Sequence, residues 1–130
     1  MTRPSHPLGL KTDGLPFRQL AALVDALETT CAVLSGLQEQ PRFAGNKAGE
    51  PYNTAGAILE DLRNNIGCEV DDIRDEVERR SVSSSDEAED KFGILIGRYT
   101  GGCDEPSAAV SELAQIAADI AADLRQAVKS

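Results

Sequence analysis

Apolar side chains recur every third or fourth residue along three long stretches of this chain, a period that belongs to the α-helix. In the first stretch they fall at Phe17, Leu20, Val24, Leu27, Cys31 and Leu34, in steps of 3, 4, 3, 4 and 3. Leu23 and Leu37 widen this seam into a core-facing stripe. Pro16 suits the first turn, where its missing N–H costs nothing, and Pro41 ends the run. A helix is predicted from about Pro16 to Glu39. The second stretch carries Ala55, Leu59, Leu62, Ile66, Val70, Ile73 and Val77. With Asn53 or Thr54 as cap it predicts a helix from Asn53 to Arg79. The last stretch opens near Asp104-Glu105-Pro106 and reaches Val128, with Val110, Leu113, Ala117, Ile120, Leu124 and Ala127 as its stripe. Ala114, Ala118 and Ala121 predict a small face against a close neighbour.

Between these stretches the signals are mixed. Gln40 to Tyr52 holds Pro41, Gly45, Asn46, Gly49 and Pro51, and is long for a helix–helix turn. Its aromatics, Phe43 and Tyr52, are placed as a cap on the end of the core. The serines from Ser81 to Ser85 supply N-caps, and Asp86, Glu87, Glu89 and Asp90 suit a first helical turn. Ala88, Phe92, Leu95 and Tyr99 then follow helical spacing. Phe92, Ile94 and Ile96 also alternate as in a strand, but a lone strand would have no partner, so a short helix is predicted. Gly101-Gly102 ends it.

These elements give an all-α fold: an irregular four-helix bundle with three long helices and one short helix. A one-layer hairpin that completes its core by dimerising is the structural alternative. At 130 residues one domain is expected. Residues 1–13, with Pro4, Pro7 and Gly9 and no sustained period, read as a flexible N-terminal arm, and 14–130 as a single helical domain.

Thirteen basic residues against 22 acidic ones leave a net charge of −9. That disfavours direct nucleic-acid binding, which needs clustered Lys and Arg, and disfavours an anionic membrane surface. No stretch is expected to approach a membrane span, and no leader-like apolar run occurs near Met1. Cys31, Cys68 and Cys103 form no C-x-x-C pair and are odd in number. Buried reduced thiols and a cytoplasmic location are expected.

The acidity is concentrated. From Glu60 to Asp90 there are 12 acidic and 4 basic residues, a balance of −8. Glu69, Asp71, Asp72, Asp75, Glu76, Glu78, Glu87 and Asp90 are the candidate partner-binding residues, for a protein partner with a basic surface. The plain alternative is a solvated helix face. Glu69/Asp72, Asp75/Glu78 and Glu87/Asp90 each place two carboxylates one turn apart, on the polar side of the second helix in the first two cases. This spacing is similar to that of the carboxylate pairs of all-α nucleotide pyrophosphohydrolases, which implies a Mg²⁺-dependent hydrolase as an alternative. The basic cluster and base-stacking aromatic such an enzyme needs are missing. His6, the only histidine, lies in the arm and is read as incidental, which leaves no Ser–His or Cys–His chemistry. No catalytic residue, metal site or cofactor is assigned. The function expected is a non-enzymatic acidic interaction module, one version being an inhibitor that occupies the nucleic-acid-binding surface of its partner. A structural, oligomer-forming protein is the remaining alternative, with a homodimer as its partner.

Overall fold

A computed structural model describes residues 6–98 and 106–129. The chain is all-α. Its elements are α1 (Phe17–Gln38), a 3₁₀ turn (Pro41–Phe43), α2 (Thr54–Arg79), α3 (Ser85–Ile96) and α4 (Pro106–Lys129). The four α-helices begin close to where capping and proline signals place them, and α3 ends at Ile96, short of the expected Tyr99. Among the described residues no strand occurs, only one isolated antiparallel bridge between Ala44 and Tyr52. The alternation at Phe92, Ile94 and Ile96 therefore sits in a helix, as expected for a segment without a pairing edge. Tyr99, Gly101, Gly102, Cys103, Asp104 and Glu105 lie outside the described residues.

The described chain forms two compact units. The first holds 6–11 and Leu23–Asp72; the second holds Thr12–Ala22 and the residues from Ile73 onward. In the first, α1 and α2 run antiparallel, since Cys31 Sγ meets the Arg63 carbonyl, Arg63 Nη1 donates to Ser35 Oγ at 3.0 Å, and Gln38 Nε2 donates to the Gly56 carbonyl at 3.0 Å. The connection between them folds back on itself. Asn53 N–H donates to the Phe43 carbonyl and Asn53 Nδ2 to the Arg42 carbonyl, while its Oδ1 accepts from Gly56 N–H. The Arg42 guanidinium lies over the Phe43 ring, 5.1 Å from its centroid. Gly56 is needed here, because a Cβ would run into the Phe43 carbonyl and the Tyr52 side chain.

The buried apolar side chains are unevenly divided. Val24, Ile66 and Val70 are those of the first unit. Phe17, Leu20, Ile73, Val77, Val82, Ala88, Ile94, Leu95, Ile116 and Ile120 are those of the second. The periodic stripes are thus buried only in part. Ala55 and Leu62 of the α2 stripe are exposed, and so is Val110 of the α4 stripe. Ala114 and Ala118 are exposed as well, so the close neighbour expected along that face does not cover them. On α4 burial centres on Ile116 and Ile120, about a quarter of a turn from the side on which Val110 and Ala117 lie.

The expectation that no stretch approaches a membrane span is corrected by α1. An 18-residue window within it has mean hydropathy 1.5 and few charges, enough to cross a membrane by length and composition. Core helices and leader segments meet the same two criteria. Asp25 and Glu28 would sit within such a span, and an Asp near its centre costs about 3 kcal/mol.

Candidate functional site

The carboxylates singled out in the sequence fare differently once the helices are in place. In the first unit, Glu69 is completely buried, not on the polar side of α2 as its spacing had indicated. Its Oε1 accepts from Leu8 N–H at 2.8 Å, and its Oε2 lies 3.0 Å from His6 Nδ1. Asp72 Oδ2 accepts from His6 N–H at 2.7 Å. Residues His6 to Leu8 are therefore tied to α2 through two carboxylates, a set of contacts that the Pro- and Gly-rich composition of the segment gave no sign of. Asp71, on another side of the helix, is exposed.

In the second unit most of the candidate carboxylates are engaged by cations of the same chain. Arg80 pairs with Glu76 at 2.8 Å and donates to the Leu15 and Thr12 carbonyls, while Thr12 Oγ1 donates to Glu76. Arg98 pairs with Asp75 at 2.8 Å and with Glu78 at 3.5 Å. Arg18 reaches Asp90 at 3.9 Å. Glu87 is spent on the start of α3. Its Oε1 accepts from Ser83 N–H at 2.8 Å and Ser83 Oγ at 2.7 Å, and Ser84 Oγ accepts from Glu87 N–H. This is a capping box displaced by one residue. The Ser83 side-chain and backbone bonds hold the Glu87 carboxyl below its ordinary range.

Two buried cations outside the candidate set, Lys91 and Arg74, complete this arrangement. Lys91 of α3 donates to the Glu78 and Arg80 carbonyls at the C-terminal end of α2. Arg74 of α2 donates from Nε to the Ile94 carbonyl, at 2.9 Å, near the C-terminal end of α3. Each helix thus supplies a cation to the negative end of the other's dipole. The signal that could have found them is their position: both fall among apolar residues of a helical stripe, where an isolated charge must be paired.

Among the described residues no group of three His, Cys, Asp or Glu side chains is placed to hold a metal ion. Cys31 and Cys68 are half-buried and not joined by a disulfide; Cys103 lies outside the described residues. Burial pushes the Cys31 thiol up, with Arg63 opposing and Glu28 adding to the shift. Tyr52 donates its hydroxyl to Glu39 at 3.0 Å, and that bond, more than anything else, raises its pKa. Between α3 and α4 lies a shallow apolar groove of about 260 Å³, lined by Phe92, Ala117, Ile120, Ala121 and Leu124. It presents no polar group to orient a ligand.

Comparison with known proteins finds no matching family model, curated protein or solved structure.

Proposed function

We propose that this chain is a non-enzymatic interaction module that receives a basic surface of a partner protein. The observation that carries this reading is the exposure of Glu78, Asp86 and Glu89 around the end of α2 and the first turn of α3. Asp75 adds to them, with its side chain 48% exposed beside Arg98. Exposed carboxylates close together raise the local concentration of a basic partner and speed its encounter, and salt weakens both effects. Of the eight candidate residues, Glu69 leaves the surface set because it is buried. Glu76 and Glu87 act first as internal acceptors. A partner that binds nucleic acid through the same basic surface would be inhibited by occupation. The irregular four-helix bundle, with α1, α2 and α4 long and α3 short, belongs to the same proposal, as does a cytoplasmic location.

The test is affinity capture from the native host at low and high salt. The intact chain is expected to retain a basic protein at low salt and release it at high salt. A chain carrying Glu78→Gln, Asp86→Asn and Glu89→Gln is expected to retain at least tenfold less. Equal retention by both chains at low salt would refute the reading.

A further inference from the structure

We propose that the turn from His6 to Gly9 is a pH-sensitive clasp on α2, closed while the His6 ring carries a proton and loosened as the ring loses it. The segment is shaped to close. The Gly9 N–H donates to the His6 carbonyl at 2.8 Å, and Pro7 sits at the second position of this turn, where its fixed φ fits. Gly9 has a φ of 69° and His6 one of 49°, and His is among the side chains that enter this region more readily than most. A residue with a Cβ stays in such a conformation only where its contacts hold it there. The His6 N–H donates to Asp72 Oδ2 at 2.7 Å, and the Leu8 N–H to Glu69 Oε1 at 2.8 Å. His6 Nδ1 lies 3.0 Å from Glu69 Oε2. The turn thus brings two amides and one ring nitrogen to two carboxylates that stand one helical turn apart.

The two amides have no charge to lose. The ring belongs to the chain's only histidine, the side chain that ordinarily titrates near neutrality. It is 36% exposed, so water can take or return its proton, whereas Glu69 is completely buried. A carboxylate cut off from water gains more from a cation than from a neutral N–H. Asp72 adds a second negative charge on the same side of α2, and two carboxylates so placed repel each other unless a cation lies beside them. The other ionisable groups at this end of the α1–α2 pair are Asp71 and the half-buried Cys68 thiol of α2, Asp25 and Glu28 of α1, and Lys11 of the N-terminal segment. Asp71, Asp25 and Glu28 favour the imidazolium and Lys11 opposes it. All four are exposed, and solvent screens them.

The protonated ring therefore binds the carboxylates more tightly than the neutral ring does, and by linkage the closed clasp holds the proton more tightly than the open one. Its contribution is fully present below the ordinary histidine range and is lost as pH rises through the higher midpoint of the closed state. The neutral ring keeps its bond only in the tautomer with the proton on Nδ1. The two amide bonds remain, so the clasp loosens without any need for α2 to unfold. A charge-assisted bond is roughly twice as strong as a neutral one, and the ratio of closed to open clasp is expected to fall about three- to tenfold. Opening gives Glu69 access to water.

With one histidine in the chain, the ring protons report on the clasp directly in NMR of the full chain without a histidine tag. The ring is expected to titrate with a midpoint above the ordinary histidine value. The protection of the Leu8 amide, corrected for the intrinsic pH dependence of exchange, is expected to fall about three- to tenfold between pH of about 5.5 and about 8. His6→Gln should leave Leu8 equally protected at both values. Glu69→Gln keeps an acceptor for the Leu8 N–H and should return the ring midpoint to the ordinary value. If Glu69→Gln fails to fold, Asp72→Asn replaces it and should lower the midpoint part of the way. A midpoint at or below the ordinary value in the unaltered chain overturns the inference. So does a midpoint that neither folded variant lowers, Leu8 protection that does not fall with rising pH, or a fall that persists in His6→Gln.

Discussion

Glu69 has no exposure, yet its two carboxylate oxygens meet the Leu8 N–H and the His6 ring. A buried carboxylate persists only with such partners, because leaving it unpaired costs several kcal/mol. Glu69→Ala removes the acceptor and strands the Leu8 N–H. It is expected to lower stability by about 2 kcal/mol and to release the exchange protection of the Leu8 amide, read by urea unfolding and by amide exchange. Retained protection at Leu8 would show that the segment is held by other contacts. Gln38 is comparably buried and gives its amide N–H to Gly56, leaving its Oε1 as a buried acceptor without a partner among the described residues. Neither residue stands out in the sequence, since a Glu or Gln at a helical position reads as exposed until the neighbouring segment is placed.

At the scale of elements, α2 and α3 hold each other by exchanged cations. Arg74 reaches the end of α3, and a Cβ at Gly97 would collide with its guanidinium. Gly97→Ala is therefore expected to cost about 1–3 kcal/mol through overpacking. Most of that cost should vanish in an Arg74→Ala background, which a double-mutant cycle by urea unfolding measures. Additive costs would mean that the two positions do not compete for the same space. The other end of α3 is pH-dependent. Hydrogen bonds from Ser83 lower the Glu87 pKa in the folded state. The unfolded chain thus binds the proton more readily, so the contribution of Glu87 is fully present above the ordinary carboxylate pKa. It is lost as pH falls through the depressed value. Urea unfolding of the unaltered chain and of Glu87→Gln should differ at neutral pH and converge in acid, once the pH is below the depressed value. A gap that persists in acid would assign the effect to packing.

For the molecule as a whole, the decisive contrast is between a well-filled second unit and a first unit in which, among the described residues, three apolar side chains are buried. Two helices and a short extended segment cover less of each other than three packed helices do. The net charge of −9 acts on another property: under the proposed reading it speeds the encounter of a cationic partner with the exposed Glu78, Asp86 and Glu89.

The four helices were legible in the sequence because their evidence is local. Apolar spacing, Pro16, Pro41, Ser84 and the acidic first turn of α3 act within a few residues of where they stand. The acidic stretch from Glu60 to Asp90 was equally visible as composition. What each carboxylate does was not. Glu69, Asp75 and Glu76 lie within eight residues on one helix, yet one is buried under residues of the N-terminal segment and two are paired by Arg98 and Arg80. Burial and pairing depend on segments far away in sequence, which only packing brings near. The same holds for the stripes. The period along α1 and α2 marks the side that prefers to leave water, but how much of it is covered depends on what packs against it, and that the tertiary structure alone decided.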